Sequence, residues 1–261
     1  MTAEVFAGPV GVAERRRRWL RSLRLMLRWE IAGSRLLYPI LAVSQILVGA
    51  GFVLGFGLLH PNLDSDAAAY LATGAVVMSL ILVGLVVTPQ IVAQQKMQGS
   101  YDYVWSMPVP RSTATMASTT LAAAAAIPGI VVALMVASWR FDITFTLDAT
   151  VIPAFLLTLL CGSFLGAAVA HSIDSPRVTL LFTQLGMFFI IGFSPVSFPA
   201  DRLPGWLATT HDYLPIHHMA LAVRSSLTDG IVESSARSWV ILTLWTMISI
   251  AVTGAVLVRR R

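Results

Sequence analysis

Six long apolar runs without a charged side chain constrain this chain more than any other feature. They cover residues 36–59, 67–93, 112–139, 149–170, 178–200 and 238–258. A helix needs about 20 residues to cross roughly 30 Å of hydrocarbon, because each residue adds about 1.5 Å. Every run is long enough, and six such runs almost never occur in the core of a soluble protein. The sequence therefore predicts an all-α integral membrane protein with six transmembrane helices.

The composition excludes the main alternatives to a membrane protein. Hydrophobic residues make up 56% of the chain and charged residues only 12%, whereas a soluble domain carries about 25% charged residues. The first run is also too long for the apolar part of a cleaved signal peptide. The single cysteine, Cys161, allows no disulfide within the chain and lies in an apolar run, where it is expected to pack.

Basic residues predict how the chain is oriented. Fourteen of the 18 lysines and arginines lie before the first run, in the connections at 94–111 and 171–177, or after the last run. Cytoplasmic connections carry an excess of Lys and Arg. We therefore expect a multi-pass protein of the inner (cytoplasmic) membrane with both termini in the cytoplasm. The positive net charge is explained by this topology, and no nucleic-acid partner is predicted.

The segment before the first run predicts a helix that lies on the inner membrane surface. In residues 15–35, five arginines recur on one helical face and six apolar residues fill much of the opposite face. Such a helix buries its apolar side among the lipid headgroups while its arginines meet anionic lipid. We therefore divide the chain into a cytoplasmic tail and amphipathic helix, residues 1–35, and a six-helix transmembrane domain, residues 36–261.

The connection between the fifth and sixth runs, residues 199–237, is interrupted by Pro199, Pro204 and Pro215. Its apolar stretches are too short to cross a bilayer. Short, proline-interrupted apolar segments predict re-entrant or interfacial helices near the outer leaflet, where protein or a wet cavity must satisfy the backbone.

Several chemical functions are disfavoured by residues that the sequence lacks. Lys96 is the only lysine and follows Gln95, so no P-loop can form and ATP cannot be hydrolysed by a P-loop of this chain. The sequence holds no recognisable catalytic constellation, and no catalytic, cofactor or metal site is predicted. The one metal alternative uses His211, His217 and His218, for which solvated or interfacial histidines are the default interpretation.

The segment at residues 94–111 is the longest connection on the predicted cytoplasmic side. Gly99 should end one helix and Ser100 should cap the next, with residues 101–107 forming a short helix before two prolines. Its aromatic residues and single acid suit insertion into a groove of a soluble protein. The residues expected to act there are Gln95, Lys96, Gly99, Ser100, Tyr101, Asp102, Trp105, Pro108, Pro110 and Arg111.

These features together resemble the permease subunits of type-2 ATP-binding-cassette exporters. In that family a basic amphipathic helix precedes six spans, and a loop of the form acid/Gln-Lys-x-x-Gly-Thr/Ser, ending in Pro-x-Pro-Arg, forms the coupling helix that docks on the ATPase. Gln95 and Ser100 stand where Glu and Thr are common. The family's paired re-entrant helices end in an arginine, and the matching residues here are Pro195, Pro199, Pro204, Trp206, Pro215 and Arg224.

The resemblance implies a partnership that the chain alone cannot provide. It implies a second permease subunit, identical or homologous, and two separate P-loop ATPase subunits that bind ATP and Mg²⁺. It also implies a substrate path between the two permeases, with candidate lining residues Gln45, Gln90, Phe182, Thr183, Gln184 and Phe189. The expected cargo is an amphipathic drug-, antibiotic- or lipid-like compound, or a polymer, moved out of the cytoplasm.

Two other functions remain open at this point. A secondary carrier usually needs an ionisable residue at mid-membrane, and none occurs in the six runs. A membrane scaffold without transport activity is also compatible with the sequence. A chain without a nucleotide pocket or a buried titratable group should receive its energy through residues 96–111, so we expect Gly99→Pro or Tyr101→Asp to uncouple ATP hydrolysis from transport.

Overall fold

The computed structural model describes residues 12–59, 64–107, 109–196, 198–232 and 235–259. Pro108 lies outside the described residues, as do the side chains of Trp105 and Arg111. Within these ranges the chain is helical and contains no strand. Six helices are long and apolar enough to cross a membrane, which confirms the predicted all-α integral membrane fold.

Eleven α-helices follow one another along the described ranges. They are α1 Val12–Gly33, α2 Leu37–Leu59, α3 Ser65–Leu82, α4 Thr88–Met97, α5 Ser100–Ser106, α6 Arg111–Phe141, α7 Val151–Ser172, α8 Pro176–Phe193, α9 Gly205–His211, α10 Pro215–Leu227 and α11 Ala236–Arg259. A π-helical turn at Val83–Val87 joins α3 to α4, so the second span is one helix from Ser65 to Met97. The other spans are α2, α6, α7, α8 and α11.

The second span is the centre of the bundle. In its most apolar 18-residue stretch 89% of the residues are buried, whereas the corresponding shares in α2 and α8 are only 22% and 17%. At its π-helical turn the backbone meets α7 closely, because a Cβ atom on Gly84 would lie 2.6 Å from the carbonyl carbon of Gly162. Only glycines allow two helices to approach this closely. A π-helical turn within a long span shifts which side chains face each neighbour.

The fifth span ends earlier than the sequence predicted. The prediction continued it to residue 200, but α8 ends at Phe193 and Ser194 has extended backbone angles. Pro195 explains the difference, since a proline disfavours helical geometry at the residue before it. Residues 194–196, 198 and 199 therefore belong to a connection at the end of the bundle.

Helix α1 packs along the start of α6 instead of standing apart. The indole Nε1 of Trp19 donates to Ser112 Oγ at 3.0 Å, and Met26 and Glu30 are buried. The arginines of α1 remain exposed. The predicted amphipathic helix is therefore present, and its location on a membrane surface stays a prediction.

Short helices lie where the re-entrant segment was predicted. A 3₁₀ turn at Ala200–Arg202 is followed by α9 and α10. Helix α10 has 13 residues and is about 20 Å long at 1.5 Å per residue, too short to cross a bilayer. Its end is fixed by backbone hydrogen bonds from Thr146 to Leu227 and from Asp148 to Ser226.

Candidate coupling site and transport path

The short helix α5 stands between the second and third spans, as residues 94–111 predict. Gly99 has a φ of +72° and forms the turn from α4 into α5, which glycine adopts without steric cost. The prediction that Ser100 caps the start of α5 is wrong, because Gly99 occupies the capping position. Ser100 is the first residue of α5, and its hydroxyl donates to the carbonyl oxygen of Gln95 at 3.3 Å. The tight turn leaves the serine beyond the capping position.

Lys96 fastens this segment to the end of α7. Its Nζ atom donates to the carbonyl oxygens of Ala170 and Ile173, both at 2.7 Å. The last carbonyl groups of a helix have no partner within the helix and carry partial negative charge, so a lysine ammonium stabilises them. Lys96 therefore ties the α4–α5 corner to the fourth span.

Tyr101 strengthens the same connection. Its hydroxyl lies 2.9 Å from Nδ1 of the buried residue His171. The Lys96 ammonium lies 5.2 Å from the centre of the Tyr101 ring, within the range of a cation–π contact. Tyr101 thus faces the bundle, and we will call Lys96, Tyr101 and His171 the corner cluster.

Three exposed residues share the outer face of α5. Asp102, Tyr103 and Ser106 are exposed there, and Tyr103 is 61% exposed. Tyr103 is not among the residues that the sequence pattern singles out in this segment. The helical period could have separated it from Tyr101, because residues two apart lie on different faces of a helix.

Pro110 and Arg111 stand where the segment enters the third span. Pro110 precedes the first residue of α6, Arg111. The Pro110 carbonyl oxygen accepts a hydrogen bond from Thr113 Oγ1 at 2.6 Å. The second proline of the motif therefore marks the start of α6, where its missing N–H group leaves no hydrogen bond unmade.

At the opposite end of the bundle, Arg224 of α10 is completely buried. Its Nε donates to Thr73 Oγ1 at 3.1 Å, and its Nη2 donates to the carbonyl oxygen of Val196 at 2.7 Å. The guanidinium carbon lies 3.4 Å from the centre of the Tyr70 ring. Arg224 therefore joins α10, the second span and the connection after α8.

The histidines of this end bind backbone carbonyl groups. His211 Nε2 donates to Phe193 O at 3.0 Å, and His218 Nε2 donates to Asp212 O at 2.9 Å. Among the described residues no group of three or more His, Cys, Asp or Glu side chains could hold a metal ion. The geometry assigns these two histidines to fixing the chain at the turns around α9.

The prolines predicted to mark this segment stand at its turns. Pro195 lies in the turn after α8, and Pro199 precedes the 3₁₀ turn. Pro204 precedes α9 and Pro215 is the first residue of α10. Trp206 is 73% exposed, so its ring is available to lipid or to another chain.

The prediction that the chain has no buried titratable group is wrong. Glu30, His171, His211, His218 and Arg224 are all buried. All five lie outside the predicted apolar runs, and His171 directly follows the fourth run. Tertiary packing buries these residues, so the absence of charge within the runs did not exclude them.

The candidate path residues fall into two groups. Gln45 and Thr183 are buried within the chain, and Thr183 Oγ1 donates to Leu180 O at 2.9 Å. Phe182 and Phe189 are 56% and 50% exposed on α8, where Gln184 is exposed as well. Gln90 lines a cavity at the α5 end of the bundle. The structure therefore does not bring these six residues together within one chain.

Comparison with known protein families identifies a family to which the chain is similar. The family model described as "ABC-2 family transporter protein" matches residues 50–258, which is most of the chain and includes α5, the corner cluster and Arg224. No curated protein matches the chain significantly.

Proposed function

This chain belongs to the ABC-2 family of transporter proteins, and we propose that it is the permease of an exporter. Membership of the family makes the chain a transmembrane permease subunit that associates with an ATPase subunit. The proposed part is that the complex moves an amphipathic drug-, antibiotic- or lipid-like compound, or a polymer, out of the cytoplasm. The observation that carries the proposal is the attachment of α5 to α7 through the corner cluster.

The first step is contact between α5 and the ATPase. Asp102, Tyr103 and Ser106 form the exposed face of α5 and would enter a groove of the ATPase. On the other face of α5, Tyr101 contacts the end of α7, and Lys96 at the end of α4 binds the same end of α7. A displacement of α5 would therefore move the ends of both the second and the fourth spans.

The energy would come from the partner subunits. We propose two ATPase subunits, each binding ATP and Mg²⁺ in its own P-loop, since this chain offers no glycine-lysine pair for one. Closure of the ATPases on nucleotide would push on α5, and release would let it return.

A second permease copy would complete the path. Helices α2 and α8 are the least buried spans, and on α2 the exposed residues Ile40, Val43, Leu47, Leu54 and Leu58 share one helical face. Two copies meeting near these helices would enclose Phe182, Gln184 and Phe189 of α8 between them. Alternating access would then open this space to each side in turn.

We place the α5 end of the bundle in the cytoplasm of a cell with an inner membrane. The exposed arginines of α1 lie at the same end as α5, because the first turns of α6 contact α1 and directly follow α5. An excess of basic residues on this side supports the assignment.

The test is a matched pair of tyrosine substitutions in the reconstituted permease–ATPase complex. Tyr103→Ala removes the exposed aromatic ring of α5, and Tyr213→Ala removes a ring that is 68% exposed near the start of α10. We expect Tyr103→Ala to lower transport per ATP hydrolysed, or the amount of ATPase that copurifies, by about ten-fold, since a central aromatic contact contributes about 1.4 kcal/mol or more. Tyr213→Ala should leave both unchanged.

Two results would contradict the proposal. One is equal ATPase copurification and equal coupling in the two variants. The other is transport of a solute against its gradient by the purified chain alone in liposomes, because that would make it a secondary carrier. Transport direction is measured by whether substrate accumulates inside inverted vesicles, where an exporter fills the vesicle.

A further inference from the structure

A cavity of about 700 Å³ lies at the α5 end of the bundle, between the α1–α2 connection and the end of α4. Its size is within the range of small-molecule sites. One side is polar, with Gln90, Gln94, Gln95 and Gln98 lining it from α4 and the turn that follows. The other side is formed by α1, α2 and the residues between them.

The cavity contains a buried carboxyl group. Glu30 is 6% exposed and lines the cavity. Its Oε2 accepts a hydrogen bond from the Tyr38 hydroxyl at 2.6 Å. Within the described part of the chain, its other oxygen, Oε1, has no hydrogen-bond donor. A buried carboxylate is costly unless a donor or an opposite charge compensates it, so this oxygen has capacity for a ligand.

The charged groups near Glu30 leave that capacity available. Arg35 also lines the cavity, but it is exposed. The arginines of α1 are exposed, Lys96 of α4 binds Ala170 O and Ile173 O, and Asp102 of α5 is exposed. Burial raises the pKa of the Glu30 carboxyl to about 7, although the Tyr38 hydrogen bond lowers it. The carboxyl is therefore close to half ionised at neutral pH.

The remaining lining suits the other parts of an amphipathic ammonium compound. Trp29 and Tyr38 place aromatic rings in the cavity wall, and aromatic faces attract ammonium groups. Leu36, Leu37 and Leu41 add apolar surface, and Leu36 and Leu37 are exposed, so an alkyl chain could extend along them. Glutamine side chains supply further hydrogen-bond acceptors without adding charge.

From this arrangement we propose that the cavity binds the ammonium group of an amphipathic molecule, with Glu30 as its carboxylate partner. The ammonium group could belong to a phospholipid headgroup of the surrounding leaflet or to a cationic amphiphilic solute. The inference concerns binding by this chain and holds whether or not the bound molecule is transported.

The test is a titration of the purified full-length chain in dodecyl maltoside, which carries no charge. Dodecylamine should bind saturably, and dodecanol, which has the same alkyl chain without the charge, should bind at least about ten-fold more weakly, because hydrogen bonds to charged groups contribute roughly 1.5–3 kcal/mol. Equal affinity for the two would overturn the proposal, and this comparison needs no variant.

Variants then locate the site. Glu30→Gln keeps the shape of the side chain and an acceptor for Tyr38, and it should weaken dodecylamine binding about ten-fold or more. Glu14→Gln alters an exposed glutamate of the same helix outside the cavity and should leave binding unchanged. Tyr38→Phe keeps the carboxyl and should retain binding. If Glu30→Gln binds dodecylamine as well as the unchanged chain does, the proposal is wrong.

Measurement at two pH values adds a control that does not depend on folding of the variants. The alkyl ammonium stays protonated at both pH 5.5 and pH 8, as a lysine does, so a change in affinity reports on the protein. Affinity should be about ten-fold higher at pH 8, where Glu30 is ionised, and affinity that does not change or falls with pH would contradict the inference.

Added phospholipid identifies the source of the ammonium group. If phosphatidylethanolamine competes with dodecylamine and phosphatidylglycerol does not, the cavity holds a leaflet headgroup. If neither competes while dodecylamine still depends on Glu30, the ligand is a cationic amphiphilic solute. If phosphatidylglycerol competes as well as phosphatidylethanolamine does, recognition does not involve an ammonium group and the proposal fails.

Discussion

The guanidinium group of Arg224 lies over the ring of Tyr70, with its carbon 3.4 Å from the ring centre. This arginine is buried without a carboxylate partner among the described residues; its hydrogen bonds go to a hydroxyl and to backbone carbonyl oxygens. Several neutral dipoles and one aromatic face together stabilise this buried positive charge. It fastens the short helices between the fifth and sixth spans to the central span.

We predict that Arg224→Lys destabilises this end of the bundle. A lysine ammonium cannot reproduce the planar contact with Tyr70 together with the hydrogen bonds in fixed directions to Thr73 and Val196. The expected loss is about 3 kcal/mol in the free energy of unfolding, measured as a lower thermal unfolding temperature in detergent. The control is Arg202→Lys, which alters an exposed arginine of the same segment. An equal, small effect in both variants would show that the buried contacts contribute little.

We predict that Lys96→Met weakens coupling more than stability. The change removes two hydrogen bonds to the end of α7 while keeping a long apolar side chain. Hydrogen bonds of a charged donor contribute about 1.5–3 kcal/mol, so the α4–α5 corner should separate from α7 more readily. In the reconstituted complex, transport per ATP hydrolysed should fall about ten-fold or more. Arg177→Met, at an exposed position near the start of α8, serves as the control, and equal transport per ATP in the two variants would argue against a role for the corner cluster.

We predict that substitution of Gly99 changes the direction of α5. Its φ of +72° is unfavourable for other residues, and a Cβ atom there would meet nothing within 4 Å, so the effect is one of backbone conformation alone. Gly99→Ala should cost about 1 kcal/mol, and Gly99→Pro, which cannot adopt a positive φ, should abolish coupling while membrane insertion remains normal. Coupling is read as transport per ATP, and insertion as the amount of protein in the membrane fraction.

Gly205 provides the matched control for this prediction. A Cβ atom at Gly205 would also meet nothing within 4 Å, but its φ is not positive. Gly205→Ala should therefore leave both coupling and stability close to those of the unchanged chain. Loss of coupling in Gly205→Ala, or normal coupling in Gly99→Pro, would contradict the assignment of α5.

We predict that the free energy of unfolding depends on pH through Glu30. Burial raises the pKa of this carboxyl from 4.5 in a solvated state to about 7 in the folded chain. The folded state therefore holds its proton over a range in which the unfolded state has lost it. The stabilisation by the protonated carboxyl is complete below about pH 4.5, is lost as the pH rises through about 7, and has a maximum of about 3.5 kcal/mol, since one pKa unit corresponds to about 1.4 kcal/mol.

The measurement is the unfolding temperature of the unchanged chain and of Glu30→Gln between pH 4.5 and pH 8. The difference between the two should change over this range, because glutamine does not titrate. Glu14→Gln, at an exposed position of the same helix, should follow the unchanged chain. A parallel pH dependence in the unchanged chain and in Glu30→Gln would show that the Glu30 carboxyl titrates as it does in water.

The number of spans and their helical character follow from the amino-acid order alone. A stretch of about 20 residues without charge can satisfy its backbone in hydrocarbon only as a helix, and this holds whatever its neighbours are. For the same local reason, Gly99 and the prolines of residues 194–215 predicted turns that the structure contains. The early end of α8 also has a local cause in Pro195, which the hydropathy of the run conceals.

The contacts of the polar side chains depend instead on how the helices pack. Lys96 and Ala170 are 74 residues apart in sequence, and Arg224 and Thr73 are 151 apart, so no local pattern indicates either contact. The same applies to Glu30. In the sequence it is one charged residue of an amphipathic helix, but it is buried because α1 packs against α6 and α2. Burial, partner and charge state depend on which surfaces meet, because desolvation and hydrogen bonding are properties of the packed environment and are not fixed by the residue alone.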